Sequence, residues 1–413
     1  MRPLLHFTAT SGWINDPHGI TYREGEYHSF FQYVPGTTSW APNCHWGHAV
    51  GPDLLSLREL AVAIAPGDGD GGIWTGSLVR EDNGAARVFY TSTSQPNIGI
   101  GRIRIATPAD DDWNTWNKGA FVADAPDGLD IIAYRDPFVR RDGDIWRMFV
   151  GAGLRDGTAT ALTYTSEDLD SWRYEGIALE RSTTQTEPVW MGALWECPQI
   201  FALDGRSVMV SSVWDDDVLH YAGYAIGTEN DGTFDATSWG RLTYGTSYYA
   251  PSLFVDASGR PCLLFWMREI GGAQDGWASA HSIPHALSIE DGRLHARPHE
   301  DLLRHRGTLS ADATVPHPVA DIEWEPAEGG QLDVLVGGDN ALSIVRVGDE
   351  FTITVADVST SVPGQDAVLR VIVDGPVLEV STGVALFGAR LDVTDAPLSA
   401  RSTGGELRVY PLA

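Results

Sequence analysis

The stretch Trp13-Ile14-Asn15-Asp16-Pro17-His18-Gly19 sets one carboxylate, Asp16, between an amide and a proline. An acid beside a proline returns at Tyr134-Arg135-Asp136-Pro137 and at Trp195-Glu196-Cys197-Pro198. A single Asp-Pro reads most simply as a turn; three at a regular step ask for another explanation. Trp74-Thr75-Gly76-Ser77 and Tyr249-Ala250-Pro251-Ser252 look like two further copies. From Asp16 to Thr75, Asp136, Glu196 and Ala250 the steps are 59, 61, 60 and 54 residues. A nearly constant step points to five copies of one supersecondary unit.

The copies also read alike downstream. Phe138-Val139, a turn at Asp142-Gly143 and Ile145–Val150 follow Asp136. Ile200–Leu203, a turn at Asp204-Gly205 and Ser207–Val210 follow Glu196, and Ala250 leads into Leu253–Val255, Ser258-Gly259 and Cys262–Trp266. Apolar run, Asp-Gly-type turn, apolar run is a hairpin signal. A unit of this length holds four short strands, which is one propeller blade. Proline cannot donate to a sheet ladder, so it belongs on an edge such as the innermost strand of a blade. Acids beside those prolines would then meet at the mouth of a central channel. From residue 314 the pattern changes to short alternating strands at 332–336, 351–355, 369–373 and 378–380, a sandwich signature. The expected fold is therefore all-β: a five-bladed β-propeller over 1–300, a linker over 301–313, and a small C-terminal β-sandwich over 314–413. Leu302–Gly307 in the linker is a candidate helical turn.

The composition is that of a globular protein, with 43% hydrophobic and 20% charged residues and 45 Gly for turns. A net charge of −28 argues against nucleic acid or an anionic membrane as partner, and favours a neutral substrate. Lys118 is the one lysine, so the positive charge is nearly all Arg. No stretch approaches a membrane-spanning length. Met1–Phe7 has no long apolar run, and Cys44, Cys197 and Cys262 lack a metal-like spacing. The expectation is a cytoplasmic protein with reduced thiols, or a secreted one if a leader has been removed.

Two carboxyl groups flanking a glycosidic bond can cleave it, provided one is ionised and the other protonated. Asn15 can donate to Asp16 and hold its pKa low, which suits a nucleophile. Glu196 has the longer reach, and burial beside Trp195 would raise it into the range of a general acid. Asp136, next to Arg135, should stay ionised and accept hydrogen bonds from sugar hydroxyls. Trp13, Trp40, Trp46, Trp74, Trp190, Trp195 and Tyr249 lie near the anchors, and apolar ring faces suit the C–H faces of sugars. Gln32, polar within Phe30-Phe31-Gln32-Tyr33, meets either a ligand or a backbone group. His45 and His48 read as structural, since no second cluster completes a metal site. Asp215-Asp216-Asp217 reads as a solvated loop in preference to a calcium site. There is no phosphate loop, nucleophile elbow or dinucleotide fingerprint.

Taken in order, Trp-Ile-Asn-Asp-Pro-His-Gly, Phe-Phe-Gln-Tyr, His-Trp-Gly-His, Trp-Thr-Gly-Ser, Arg-Asp-Pro and Glu-Cys-Pro resemble glycoside hydrolase family 32, the family of invertases, levanases and inulinases. Leu369–Asp374 and Glu379-Val380 look like that family's sandwich signature. The resemblance implies retaining hydrolysis of β-fructofuranosides, with Asp16 as nucleophile, Glu196 as acid/base and Asp136 as transition-state stabiliser. It also implies a fructose pocket lined by Asn15, Gln32, Trp40, Trp74, Thr75 and Arg135, and neither metal nor cofactor; Trp13 and Tyr249 join the expected pocket as aromatic residues near the anchors. His18 stands where Asn is usual in the family, close enough to Asp16 to act on the leaving-group side. Pro376-Val377 replaces a usual Ser pair. The function expected is an exo-β-fructofuranosidase acting on sucrose or short fructo-oligosaccharides, as a monomer or a homodimer through the sandwich. A fructosyltransferase would use the same acids, and a catalytically silent fructan-binding protein is the third reading.

Overall fold

A computed structural model describes all residues, Met1–Ala413. Apart from one 3-10 helix, Glu300–His305, the regular elements are strands. Three four-stranded antiparallel sheets follow one another in the chain: blade II over Gly72–Ala123, blade III over Ile131–Ser182 and blade IV over Leu194–Arg241. Blade I opens with Gly12–Arg23 and blade V with Tyr248–Val255. Blades I and V share one nine-stranded sheet, because Gly12 and Trp13 pair in parallel with Trp277 and Ala278. That pairing joins the first blade to the last and closes the ring.

The five anchors stand on the first strands of the five blades, and each first strand is bulged at its anchor. Opposite Gln32 the first strand carries both Asn15 and Asp16. Thr75 is the extra residue between the Trp74 and Gly76 pairings. Asp136-Pro137 fills the bulge of blade III, Cys197-Pro198 that of blade IV and Ala250-Pro251 that of blade V. A bulge leaves one residue unpaired, re-aims its side chain and tolerates a proline that has no N–H to give. So the prolines mark bulges, a sharper role than an edge position alone. Asp136, Cys197 and Ala250 sit at φ 65°, 50° and 46°, a left-handed backbone that non-glycine residues seldom adopt.

Hydrogen bonds between neighbouring blades fix the bulges relative to one another. The Asp136 amide donates to Thr91 Oγ1 of blade II at 2.8 Å, and the Ala250 amide donates to Ser212 Oγ of blade IV at 2.9 Å. Gln199 of blade IV spans to blade V, donating to the Pro251 carbonyl and accepting from the Leu253 amide. Core clusters such as Phe149, Met191, Trp195 and Met209 fill the wedge between adjacent blades.

Beyond the 3-10 helix the nine strands from Thr314 onward, joined by Thr243–Gly245 of the propeller, form one ten-stranded sheet folded on itself. Val319–Val336 and Leu398–Pro411 run through both layers and break register together between Pro326 and Gln331. Trp324, Leu332, Ile344, Val371 and Val409 are fully buried between the layers, as alternation along each strand requires. Thr243–Gly245 of the propeller pairs in parallel with Leu386–Gly388 of the sandwich. His6, buried, bridges Asp374 Oδ2 at 2.8 Å and Glu379 Oε1 at 3.0 Å, tying the N-terminal segment to the sandwich.

Candidate active site

Three of the bulges bring Asp16, Asp136 and Glu196 to one cavity of about 620 Å³. Trp13, Asn15, Gln32, Trp40, Trp74, Arg135 and Tyr249 line it as well. Most of the residues singled out in the sequence therefore share one space.

Asp16 is held by neutral donors. Asn15 Nδ2 donates to Oδ1 at 3.1 Å, while Gln32 Nε2 and Thr75 Oγ1 donate to Oδ2 at 3.0 and 2.6 Å. Thr75 thus stands behind the carboxylate and holds it, outside the cavity lining. Glu196 is held by a cation and a phenol. Arg135 donates from Nε and Nη2 to Oε1 at 3.1 and 2.9 Å, and Tyr249 donates its hydroxyl to Oε2 at 2.7 Å. Asp136 receives the backbone N–H of Cys197 at 3.0 Å, an amide that the bulge of blade IV has freed from its ladder. The Cys197 thiol lies 3.7 Å from both Asp16 Oδ2 and Asp136 Oδ2.

The protonation order differs from the sequence expectation. Burial pushes the Asp16 carboxyl up from its ordinary value; the Thr75 and Asn15 hydrogen bonds oppose that push, and the nearby Glu196 adds to it. Burial also raises Asp136, to about 8, with Arg135 opposing it and the other two acids reinforcing it. The expectation that Asp136 stays ionised beside Arg135 is corrected: burial outweighs the attraction of Arg135, whose hydrogen bonds go to Glu196. Carboxyl groups sharing one dry space cannot all ionise together, and Asp136 is the one lifted far enough to hold a proton at neutral pH.

His18 is a second correction. It is 1% exposed, packs on Trp46 at 4.0 Å between ring centroids, and is absent from the cavity lining. Register places its side chain in the interior, so it does not stand on the leaving-group side. His48 stacks on Phe30 and pairs with His28, a packing role. Asp256, Cys262 and His299 bring possible metal-ligand atoms within 4.8 Å of one another. There Arg260 already donates to Asp256 at 2.8 Å and approaches His299 at 3.2 Å, so a guanidinium fills the place of a cation.

Other lining residues had no sequence signal. Ile98 and Gly99 come from a loop of blade II, and Ile132 and Ala133 from the residues before Asp136. Trp214 and Leu219 flank the hairpin turn of blade IV and Asp217 sits in it, and Trp266 is edge-on to Trp13 at 5.7 Å. Asp217, read as a solvated loop residue, is exposed and stands at the rim. Trp40, 44% exposed, meets Trp74 edge-on and gives the rim an apolar face. An apolar cavity with a few convergent polar groups is the usual form of a small-ligand site.

The family model of the N-terminal domain of glycosyl hydrolases family 32 matches residues 6–298. A sucrose-6-phosphate hydrolase of Zymomonas mobilis is 31% identical over 315 residues, 71% of this chain and 60% of that protein. A levanase of Bacillus subtilis is 33% identical over 344 residues, 74% of this chain and 48% of that protein. The matched regions thus span 48% to 60% of those relatives, less than two thirds of their length. In the fold, a GH32 beta-fructofuranosidase of Bombyx mori superposes with a TM-score of 0.86 at 22% identity, covering 100% of this chain and 94% of that one.

Proposed function

The chain belongs to glycosyl hydrolase family 32, and from that premise we propose that it is a retaining, exo-acting β-fructofuranosidase. It releases terminal fructose from sucrose and short fructo-oligosaccharides. The observation that carries this reading is the contrast between Asp16, held only by neutral donors, and Glu196, held by Arg135 and Tyr249. Two carboxyl groups on one cavity with different partners are what a double displacement uses.

In the first half-reaction Asp16 attacks the anomeric carbon of the fructosyl unit, and Glu196 gives a proton to the departing oxygen. In the second, Glu196 takes a proton from water, and that water displaces Asp16. Neutral donors suit Asp16 in this role, since they orient the carboxylate without pairing it to a cation. Asp136 holds ring hydroxyls through hydrogen bonds that tighten as the anomeric carbon gains positive charge. The single cavity and its aromatic rim support attack on a chain end. The names of the relatives, a levanase and a sucrose-6-phosphate hydrolase among them, support a fructoside as the substrate class.

The test is fructose release from sucrose, 1-kestose, 6-kestose, inulin and levan, with free glucose measured in parallel. The reading expects equal fructose and glucose from sucrose, and loss of nearly all turnover in Asp16→Ala and in Glu196→Ala with folding intact. Near-normal rates in either variant refute it.

A further inference from the structure

A sugar phosphate carries roughly 1.5 to 2 negative charges near neutral pH. Sites that hold such esters meet them with Arg, Lys or a row of free amides. In this cavity the ionisable acids are Asp16, Asp136, Glu196 and Asp217, against one guanidinium, Arg135. Even with two of those carboxyls protonated, negative charges outnumber positive.

That guanidinium is already committed. Its Nε and Nη2 donate to Glu196, and Nη1 donates to the Gly99 carbonyl at 3.4 Å. Arg268 lies outside the lining, 4.9 Å from the Tyr249 ring centroid, with Nη1 and Nη2 donating to the carbonyls of Leu219 and His220. Freeing either one would break bonds that hold Glu196 or the rim loop.

The rim adds to the imbalance. Asp216 and Asp217 occupy a hairpin turn with φ 47° and 61°, and Asp217 is exposed on the lining without an ion pair. We infer that the site takes the neutral disaccharide and turns away its phosphate monoester, with Asp217 as a specificity-determining charge at the rim. This deepens the fructosidase reading and rests on it.

The experiment compares kcat/KM of the full chain for sucrose and for sucrose 6-phosphate, at low and high salt. The expected ratio favours sucrose by roughly 100-fold or more at low salt, since like charges suppress the wrong ligand. Salt should narrow the gap, because the effect at an exposed rim is screened. Asp217→Asn, which keeps a residue tolerant of the left-handed turn, should raise the relative rate on the phosphate ester several-fold. Equal or faster hydrolysis of the ester overturns the inference, as does a gap that neither salt nor Asp217→Asn changes. Hydrolysis of neither compound overturns the fructosidase reading itself, and this inference with it.

Discussion

Arg135 donates two N–H groups to one oxygen of Glu196, 61 residues further along the chain, and leaves its own neighbour Asp136 to a backbone amide. The pairing crosses from blade III to blade IV and fixes the carboxyl group proposed as the acid. Lysine offers a point charge in place of a planar fork. Arg135→Lys should therefore lower kcat/KM by roughly 10- to 100-fold, the size of losing one positioned charge-assisted hydrogen bond. Steady-state rates checked beside an unchanged melting curve test this; a wild-type kcat/KM would show that the fork does not matter.

Asp136 carries its proton at neutral pH because burial raises it to about 8. A carboxyl group raised on folding contributes stability that is fully present below its unfolded value of 3.8 and is lost as pH rises through 8. Asp136→Asn cannot take that charge. The variant should gain on the wild type as pH rises from 3.8 through 8 and level off above that, while kcat falls roughly 10²- to 10³-fold. Melting curves at several pH values beside turnover rates check both halves. A variant that is less stable at every pH contradicts the assignment.

What was legible in the sequence follows from which forces act locally. Proline beside an acid, repeated at blade length, marks the bulges because a residue without an N–H has few places in a sheet. Alternating apolar residues around Asp142-Gly143 and Asp204-Gly205 mark the hairpins because those turns need a left-handed backbone. The protonation of Asp136 was not legible, because it depends on a burial that only the assembled blades supply. Nor was Asp217, whose place at the rim is set by the closure of the ring. His18 was misread because a bulge two residues upstream, at Asn15-Asp16, uncouples side-chain direction from simple alternation.

Gly151 lies opposite Arg135 in the ladder, and a Cβ there would stand 2.2 Å from the Trp195 carbonyl. That contact is with backbone, so it cannot be relieved by a side-chain rotation. Gly151→Ala should push blade IV away from blade III and part Glu196 from Arg135. The expected outcome is a loss of about 1–3 kcal/mol of stability with a larger fall in kcat than in substrate affinity. Denaturant melts and Michaelis curves on the same preparation test it, and an alanine variant with normal kcat would contradict it.

His6 is the charged clasp between the N-terminal segment and the sandwich. Burial works against its charge, but the hydrogen bonds to Asp374 and Glu379 outweigh that and lift it to about 9. Its contribution is fully present below 6.5 and is lost as pH rises through 9. Asp374 also accepts the backbone amides of Leu4, Leu5 and His6. His6→Ala leaves two buried carboxylates without their cation and should cost about 3–5 kcal/mol. Thermal melts from pH 6 to 10 check both statements: the wild type should weaken across that range, and the variant should show a flatter slope.

The central claim is that Asp16 bonds covalently to the fructosyl unit while Glu196 serves the leaving group and the water. The most direct test incubates Glu196→Ala with a fructoside whose leaving group needs no proton, then maps the trapped adduct by peptide mass. The account predicts a hexosyl mass increase on the peptide carrying Asp16, absent when Asp16→Ala is added. An adduct on Asp136 instead, or one that persists without Asp16, would contradict it.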